Sequence, residues 1–598
     1  MKKIFLFVFI AFSFLCSCVG EPEPLNVVFI GLDTVRSDHL GCYGYERETS
    51  PAIDQLASEG TLFEYAVSHS PWTLPSFASA FTSLYPTQHG AGFLESAMGI
   101  DFPTLGSVFA DHGYMTGAII NTAALNPAFG IDRGFVHYDV VPATHGRVAG
   151  GTTVAVLDWI DRQGDAPFFV FAHYYDPHLP FSPPAPFDTL FDPGYIGEIG
   201  NSFDPEFLPT DRMNGFEKMN ALSGRDKEHI MALYDGEIAF ADRAIGDLVK
   251  GLGERGLMEN TLIVFMSDHG EEFFDHGGFA HGHTLYEELL RVPLIFRLPG
   301  RIPAGKRIPG VVRLIDLMPT ILNLAGIEIG AHMEGRDLCP LFQGEETAGP
   351  PRQDAMLVDE VFSEALLFGP EQKCVTAFPY KIIRHMGSGE EMVFDLDRDP
   401  AETRDLTRSV DTALPAGTYQ TLEQHLFGTI FRASDTWYIQ VDPAGAGHLL
   451  DMTASAAGAA GGEINLHRAF DTGGRFLDDS EIGLSHETES RLRLVGLSLD
   501  ESFILAFKVE PPMAAVEFNF LLDGEAATGI TYIGDDLAGP EAMPFTRRGA
   551  SKNLGKPASH PGAPCFLIWH AGGQCKGRRP VELDRDIKRE LRSLGYIQ

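Results

Sequence analysis

A chain of 598 residues is too long for one small module and has the size of two or three domains. Its 44% hydrophobic and 21% charged content is ordinary globular composition and excludes wholesale disorder. With 82 acidic against 45 basic residues the formal net charge is -37. That excludes the basic footprint of a nucleic-acid binder and predicts repulsion from an anionic membrane surface. An anionic substrate would therefore need a local cationic site.

In chain order, Lys2 and Lys3 precede an apolar run over residues 4–15, too short to span a bilayer and of the size of a secretory h-region. The run ends in Leu15-Cys16-Ser17-Cys18, and residues 1–18 resemble a bacterial lipoprotein signal in which Cys18 becomes the acylated first residue after cleavage. Simple cleavage without lipid is the alternative. Either implies an exported protein, in the periplasm or on the outer membrane or cell surface, touching a membrane only through a lipid on Cys18. Of the 7 cysteines, Cys42, Cys339 and Cys374 are scattered, while Cys565 and Cys575 are near enough to close a local disulfide or to remain free thiols.

From residue 25 apolar runs alternate with helical patterns. Residues 26–30 (NVVFI), 115–120, 168–172 (FFVFA), 262–266 (LIVFM) and 292–296 read as strands buried on both faces, and Ile238, Ala241, Ile245, Leu248 and Val249 have helical spacing. The pattern predicts an α/β fold, a mostly parallel mixed sheet flanked by helices. In such sheets chemistry sits beyond the carboxyl ends of the strands. There the sequence delivers Asp33 with Asp38 and His39, then His173, Asp176 and His178, then Asp268 and His269. One Asp after a strand is commonly a helix N-cap. Three such edges, two with His beside Asp, suit a divalent cation instead.

The stretch Leu32-Asp33-Thr34-Val35-Arg36-Ser37-Asp38-His39-Leu40-Gly41-Cys42-Tyr43-Gly44 resembles the opening motif of the sulfatase family, within the alkaline phosphatase superfamily. The likeness continues through Thr73-Leu74-Pro75-Ser76, His173 to Pro180, Ser267-Asp268-His269-Gly270, His281-Gly282-His283-Thr284 and Phe394-Asp395-Leu396-Asp397, in the family's order. It implies an alkaline-phosphatase-like catalytic domain over residues 25–410. It also implies that Asp33, Thr73, Asp268 and His269 hold one divalent metal ion (Ca, Mn or Zn). By the same resemblance His178 contacts the ester oxygens or helps to protonate the leaving group, and His283, with His281 as a further candidate beside it, lies where sulfatases place a sulfate-holding Lys segment.

Three positions depart from the family. Thr34 stands where many sulfatases have a second Asp, Thr73 where a Cys or Ser is oxidised to formylglycine, and Phe77 where an Arg follows. No formylglycine is expected. Thr has one hydroxyl, so a covalent intermediate must be released by water attacking sulfur or phosphorus. Thr73 could instead simply cap the helix that follows it, a role compatible with catalysis.

Beyond residue 410 the resemblance fades. Trp437-Tyr438-Ile439-Gln440-Val441, Ile464-Asn465-Leu466, residues 503–509 and 516–520 predict strands, so residues 411–560 are expected to form a β-sandwich-like module. Residues 561–598 are expected to be a tail whose terminal helix, near 587–597, returns to the catalytic domain. The expected activity is metal-dependent hydrolysis of a small-molecule or glycan sulfate or phosphate ester, with Thr73 as nucleophile. The alternatives are a phosphodiesterase or phosphonate monoester hydrolase, a phosphoethanolamine-type transferase, and an inactive protein that keeps the fold to bind an anion or glycan.

Overall fold

The apolar run near the start forms β1 (Asn26–Leu32), all of whose residues are buried, so it needs neighbours on both edges and cover on both faces. The computed structural model describes residues 24–408, apart from 93, 95, 101, 142–146, 205–218, 331–332, 344–359, 365, 370–371 and 386–389, and beyond them only strands between 436 and 580. The leader with Cys18, the expected terminal helix and Cys575 lie outside the described residues. Among those described, Cys42, Cys339 and Cys374 are free, and no helix is long and apolar enough to cross a membrane.

The strands that follow are β2 (Thr61–Val67), β3 (Ser96–Ala97), β4 (Met115–Ile120), β5 (His137–Val140), β6 (Phe168–Tyr174), β7 (Thr261–Met266), β8 (Glu272–Phe273), β9 (Phe279–Ala280), β10 (Arg291–Arg297) and β11 (Lys306–Arg313). Eight of them make one mixed sheet in the order β11-β2-β10-β7-β1-β6-β4-β5. β1 runs parallel to both β6 and β7, and β4 parallel to β6 and β5, whereas β10 is antiparallel to β7 and β2. Successive side chains of β1 alternate between the two cores. Val27 and Phe29 face the side of α2 (Thr73–Thr82), α3 (Leu105–Asp111) and α6 (Leu317–Leu324); Val28 and Ile30 face α1 (Pro51–Glu59), α4 (Ala149–Asp161) and α5 (Gly224–Glu254). This two-sided burial is why the parallel strands read as unbroken apolar runs. The helix α5 is capped by Ser223, whose hydroxyl accepts the Asp226 N–H, and buries Ile238, Ala241, Ile245 and Leu248 on one stripe.

Register positions the site. Gly31 of β1 pairs with His173 of β6 on one side and Met266 of β7 on the other. Asp33 and Asp268 each lie two residues past those partners, so Asp33, His173 and Asp268 share one carboxyl edge. Gly31 is needed there for space: a Cβ would sit 2.7 Å from the Phe77 ring and 3.0 Å from Phe171.

A second, antiparallel sheet, which the sequence pattern did not announce, follows in β12 (Val361–Ser363), β13 (Gln372–Ala377), β14 (Tyr380–His385) and β15 (Glu391–Asp395). Further on lie β16 (Thr436–Asp442), β17 (Leu449–Ala457), β18 (Glu463–Asp471), β19 (Leu484–Thr488), β20 (Arg491–Ser498), β21 (Phe503–Glu510), β22 (Ala515–Leu522), β23 (Glu525–Ala526), β24 (Ile530–Gly534) and β25 (Cys565–Ala571). They form two five-stranded sheets, β18-β21-β16-β25-β24 and β19-β20-β17-β22-β23. A last short strand, β26 (Arg579–Pro580), pairs with β3.

Candidate metal centre and active site

Past β1 the chain turns through Thr34, a β-branched residue at φ 58, in the left-handed region that favours glycine. The turn is held from two sides. Ser267 Oγ accepts the Val35 N–H at 2.9 Å and donates to the His269 carbonyl at 2.8 Å; the Tyr234 hydroxyl accepts the Arg36 N–H at 3.0 Å and donates to the Thr34 carbonyl at 2.8 Å. So braced, the Thr34 N–H points at Asp268 Oδ1, 3.3 Å away, and the Asp33 carboxylate at the pocket.

Donor atoms of Asp33, Asp268 and His269 converge to within 4.8 Å of one another, and all three residues are buried. His269 Nδ1–H donates to the Gly270 carbonyl at 2.9 Å, which fixes the tautomer and turns the Nε2 lone pair toward the carboxylates. That Nε2 lies 3.6 Å from Asp33 Oδ1, 3.4 Å from Asp268 Oδ2 and 3.4 Å from Thr73 Oγ1. Thr73 is the first residue of α2, where unpaired N–H groups favour an anion. Ser76, one turn on, ties that helix to the same edge by donating to the Asp268 carbonyl at 2.7 Å.

Burial pushes both carboxyls up to about 7: Asp33 in spite of the nearby His269, and Asp268 with added repulsion from Asp33. The Thr73 hydroxyl and Thr34 N–H are near enough to oppose the shift at Asp33, yet neither has hydrogen-bond geometry. Both Asp33 oxygens and Asp268 Oδ2 therefore accept no hydrogen bond. Buried carboxylate oxygens without donors are costly. Two facing carboxylates, a neutral imidazole nitrogen and a hydroxyl are the donor set a divalent cation fits.

Three further rings line the pocket beside this centre. His281 lies 4.5 Å, centroid to centroid, from His269 and 4.8 Å from His178, and His178 stacks on Tyr175 at 4.3 Å. The Leu179 carbonyl holds His178 Nδ1–H at 2.7 Å, and the Glu271 carboxylate holds His281 Nδ1–H at 3.0 Å, which makes Nδ1 the protonated nitrogen of both rings. His283, which the motif placed in the site, pairs through Nε2 with Glu272 at 2.8 Å instead. Glu272 also accepts the N–H groups of His276 and Gly278, so His283 helps to close the β8–β9 hairpin that presents His281.

The other polar residues of these edges have structural partners. His39 pairs with Asp235 at 2.7 Å, Asp38 with Arg36 at 2.9 Å, and Asp176 accepts the Ala149 N–H at the start of α4. Phe77, at the family's Arg position, packs edge-on to His173 at 5.5 Å and against Phe171 at 5.0 Å.

A mixed sheet with carboxylates and imidazoles at its carboxyl edge defines an ester hydrolase of alkaline-phosphatase type. The family model described as Sulfatase matches residues 25–327, and a second, N-sulphoglucosamine sulphohydrolase C-terminal, matches residues 274–426. The chain belongs to the sulfatase family. An arylsulfatase of Clostridium perfringens (strain 13 / Type A) is 26% identical over 451 residues, which cover 64% of this chain and 90% of that protein. Among solved structures, an enzyme in complex with its substrate D-glucosamine-2-N,6-O-disulfate shares the fold with a TM-score of 0.58 at 20% identity, over 68% of this chain and 97% of that one. The phosphonate monoester hydrolase of Agrobacterium radiobacter does so with a TM-score of 0.55 at 20% identity, over 69% and 96%.

Proposed function

We propose that the protein hydrolyses a sulfate or phosphate-type ester through Thr73, with Asp33, Asp268, His269 and Thr73 Oγ1 holding a divalent cation (Ca, Mn or Zn). The observation that carries this reading is the convergence of buried, donor-starved carboxylate oxygens on His269 Nε2, with the Thr73 hydroxyl 3.4 Å from that nitrogen. When bound, the cation supplies the positive charge that lowers a hydroxyl's pKa and steadies the ester's non-bridging oxygens.

The chain's own groups supply the rest. Thr73 Oγ, its proton given up to solvent beforehand, attacks sulfur or phosphorus as the alkoxide, the form in which it departs again when the covalent ester is hydrolysed, and the N-terminal N–H groups of α2 stabilise charge gathering there. His178, oriented by its Nδ1–H bond to the Leu179 carbonyl, protonates the departing ester oxygen, and His281 steadies the anion beside it. Because threonine has no second hydroxyl, the covalent ester is released by water attack, for which the now neutral His178 is the base. Rejecting formylglycine chemistry favours phosphorus over sulfur: a diester or phosphonate can be cleared by water without the hemiacetal collapse that a formylglycine hydrate permits. The leader and Cys18 make the enzyme an exported one, acting on small-molecule or glycan esters.

The test is turnover of aryl sulfate, aryl phosphate monoester, diester and phosphonate, with and without chelator. Chelator-sensitive turnover abolished in Thr73→Ala supports the reading; equal activity in that variant removes Thr73 as nucleophile. Transfer to an alcohol acceptor in place of water would favour a phosphoethanolamine-type transferase. Bound metal with no turnover would favour an inactive anion-binding protein.

A further inference from the structure

The imidazole of His173, at the carboxyl end of β6, is fully buried and belongs to no structural network. Neither of its ring nitrogens makes a hydrogen bond, which for a buried imidazole is uncommon and costly. Its Nε2 lies 3.2 Å from Asp33 Oδ2, short of bonding only in orientation. Phe77, Phe171 and Tyr175 box the ring at 5.5, 5.9 and 6.2 Å, leaving the Asp33 side as its polar outlet. The backbone beneath it is pinned as well. Asn121 Nδ2 donates to the His173 carbonyl at 2.7 Å, and Arg147 Nε in turn donates to Asn121 Oδ1 at 2.8 Å.

His173 stands outside the group of Asp33, Asp268 and His269 whose donor atoms lie within 4.8 Å of one another. A direct bond to the same cation is therefore not what this arrangement offers. We propose that His173 is a positioning residue of the metal centre: its Nε2–H donates to Asp33 Oδ2, so that Asp33 presents Oδ1 alone to the cation, and this contact sets the affinity for the metal. A ligating carboxylate held by an outer hydrogen bond loses less orientational freedom on binding, and removing such partners typically weakens metal affinity roughly 10- to 100-fold. The demand is acute here, because Thr34 offers no second carboxylate and Phe77 no cation to orient Asp33. The inference rests on the metal reading above.

The test is Mn²⁺ titration calorimetry on the metal-free full chain, comparing wild type with His173→Phe, His173→Gln and Asp268→Asn. The expected result is roughly 10- to 100-fold weaker binding in His173→Phe. Gln, whose amide N–H reaches the same place, should restore affinity to within a few-fold, and Asp268→Asn should lose binding. If His173→Phe binds as wild type while Asp268→Asn does not, the His173 proposal falls and the metal reading stands. If wild type binds no Mn²⁺, or Asp268→Asn changes nothing, both fall. Where Phe prevents folding of the metal-free chain, His173→Asn, polar but too short to reach Asp33, takes its place; Gln no better than Asn overturns the proposal. Pulsed electron paramagnetic resonance of the Mn²⁺ complex should show nitrogen coupling from one imidazole, and a second coupling lost in His173→Phe would make His173 a direct ligand and overturn the positioning role.

Discussion

Lys381, on β14, is fully buried between two carboxylates, 2.9 Å from Glu287 Oε1 and 2.8 Å from Glu402 Oε1. Glu287 opens the short helix before β10, so this ammonium joins the second sheet to the main one. Replacing it in Lys381→Met keeps the aliphatic length but leaves two buried carboxylates without their cation. The Tyr65 hydroxyl to Glu287 and the Glu287 N–H to Glu402 would be their remaining donors. Breaking a buried pair on one side costs about 3–5 kcal/mol, well above the ~0–1 kcal/mol of a surface pair. The loss should depend on pH, with a sign that can be worked out. Lys381 lowers the pKa of both partners, against burial, which already pushes Glu402 up to about 7. Without it the folded-state pKa of Glu402 rises further above the unfolded value and that of Glu287 rises from below it, so the folded variant binds more protons than folded wild type. The deficit should therefore be largest near pH 8 and shrink as pH falls toward 5, by up to about 1.4 kcal/mol per pH unit for each proton taken up. Urea titrations of wild type and variant at the two pH values measure it. A cost below about 1 kcal/mol, or one independent of pH, would refute the account of Lys381 as a buried counter-charge.

His276 Nδ1 pairs with Glu288 Oε1 at 2.8 Å, and its ring stacks on Tyr286; in spite of its burial, the Glu288 carboxylate pushes its pKa up to about 9. The stabilisation is fully present below about pH 6.5 and lost as pH rises through 9, so His276→Gln should flatten the fall in melting temperature over that window by the equivalent of ~2–3 kcal/mol. Gly31→Ala would drive a methyl into the Phe77 ring, which must shift against His173 and Phe171; calorimetry should show a loss of about 1–3 kcal/mol, and Mn²⁺ affinity should fall with it.

The parallel strands β1, β6 and β7 were legible because each is buried on both faces and so reads as an unbroken apolar run. β2 and β11 were not. TLFEYAV carries a glutamate, and KRIPGVVR carries a proline and a glycine, so their pairing comes from the sheet rather than from local pattern. The four-stranded sheet was missed for a similar reason, since β12 has three residues and β15 five, too short for periodicity to speak. In the site, Asp33, Asp268 and His269 stood out as candidates because they follow strand ends, and their reading as ligands of one cation came from the family resemblance. The sequence put His283 in the site with His281 as a further candidate on the same loop. A turn with Ala280 at φ 73 and Gly282 at φ 84 sets the His281 ring 4.5 Å from His269 and pairs His283 with Glu272. His173 was visible as a candidate, but its partner depends on the β1–β6 register, which no local pattern carries.

Two of the three departures from the sulfatase pattern, Thr34 and Phe77, are physically coupled. An Arg at position 77 would have to place its guanidinium among Phe81, Phe171 and His173, the rings that Phe77 packs against. A second Asp at position 34 would add a third negative charge to a pocket where burial and mutual repulsion already push Asp33 and Asp268 up to about 7. Losing the Arg and the Asp together keeps the local charge in balance, and a neutral His173 can brace Asp33 without adding to it. On the proposed reading, a chain with a net charge of -37 would concentrate the cationic character of its site in the cation that Asp33, Asp268 and His269 hold, with the imidazoles of His178 and His281 beside it. On that reading the site would suit an ester whose leaving oxygen takes a proton from His178 more than a fixed cationic clamp on a sulfate.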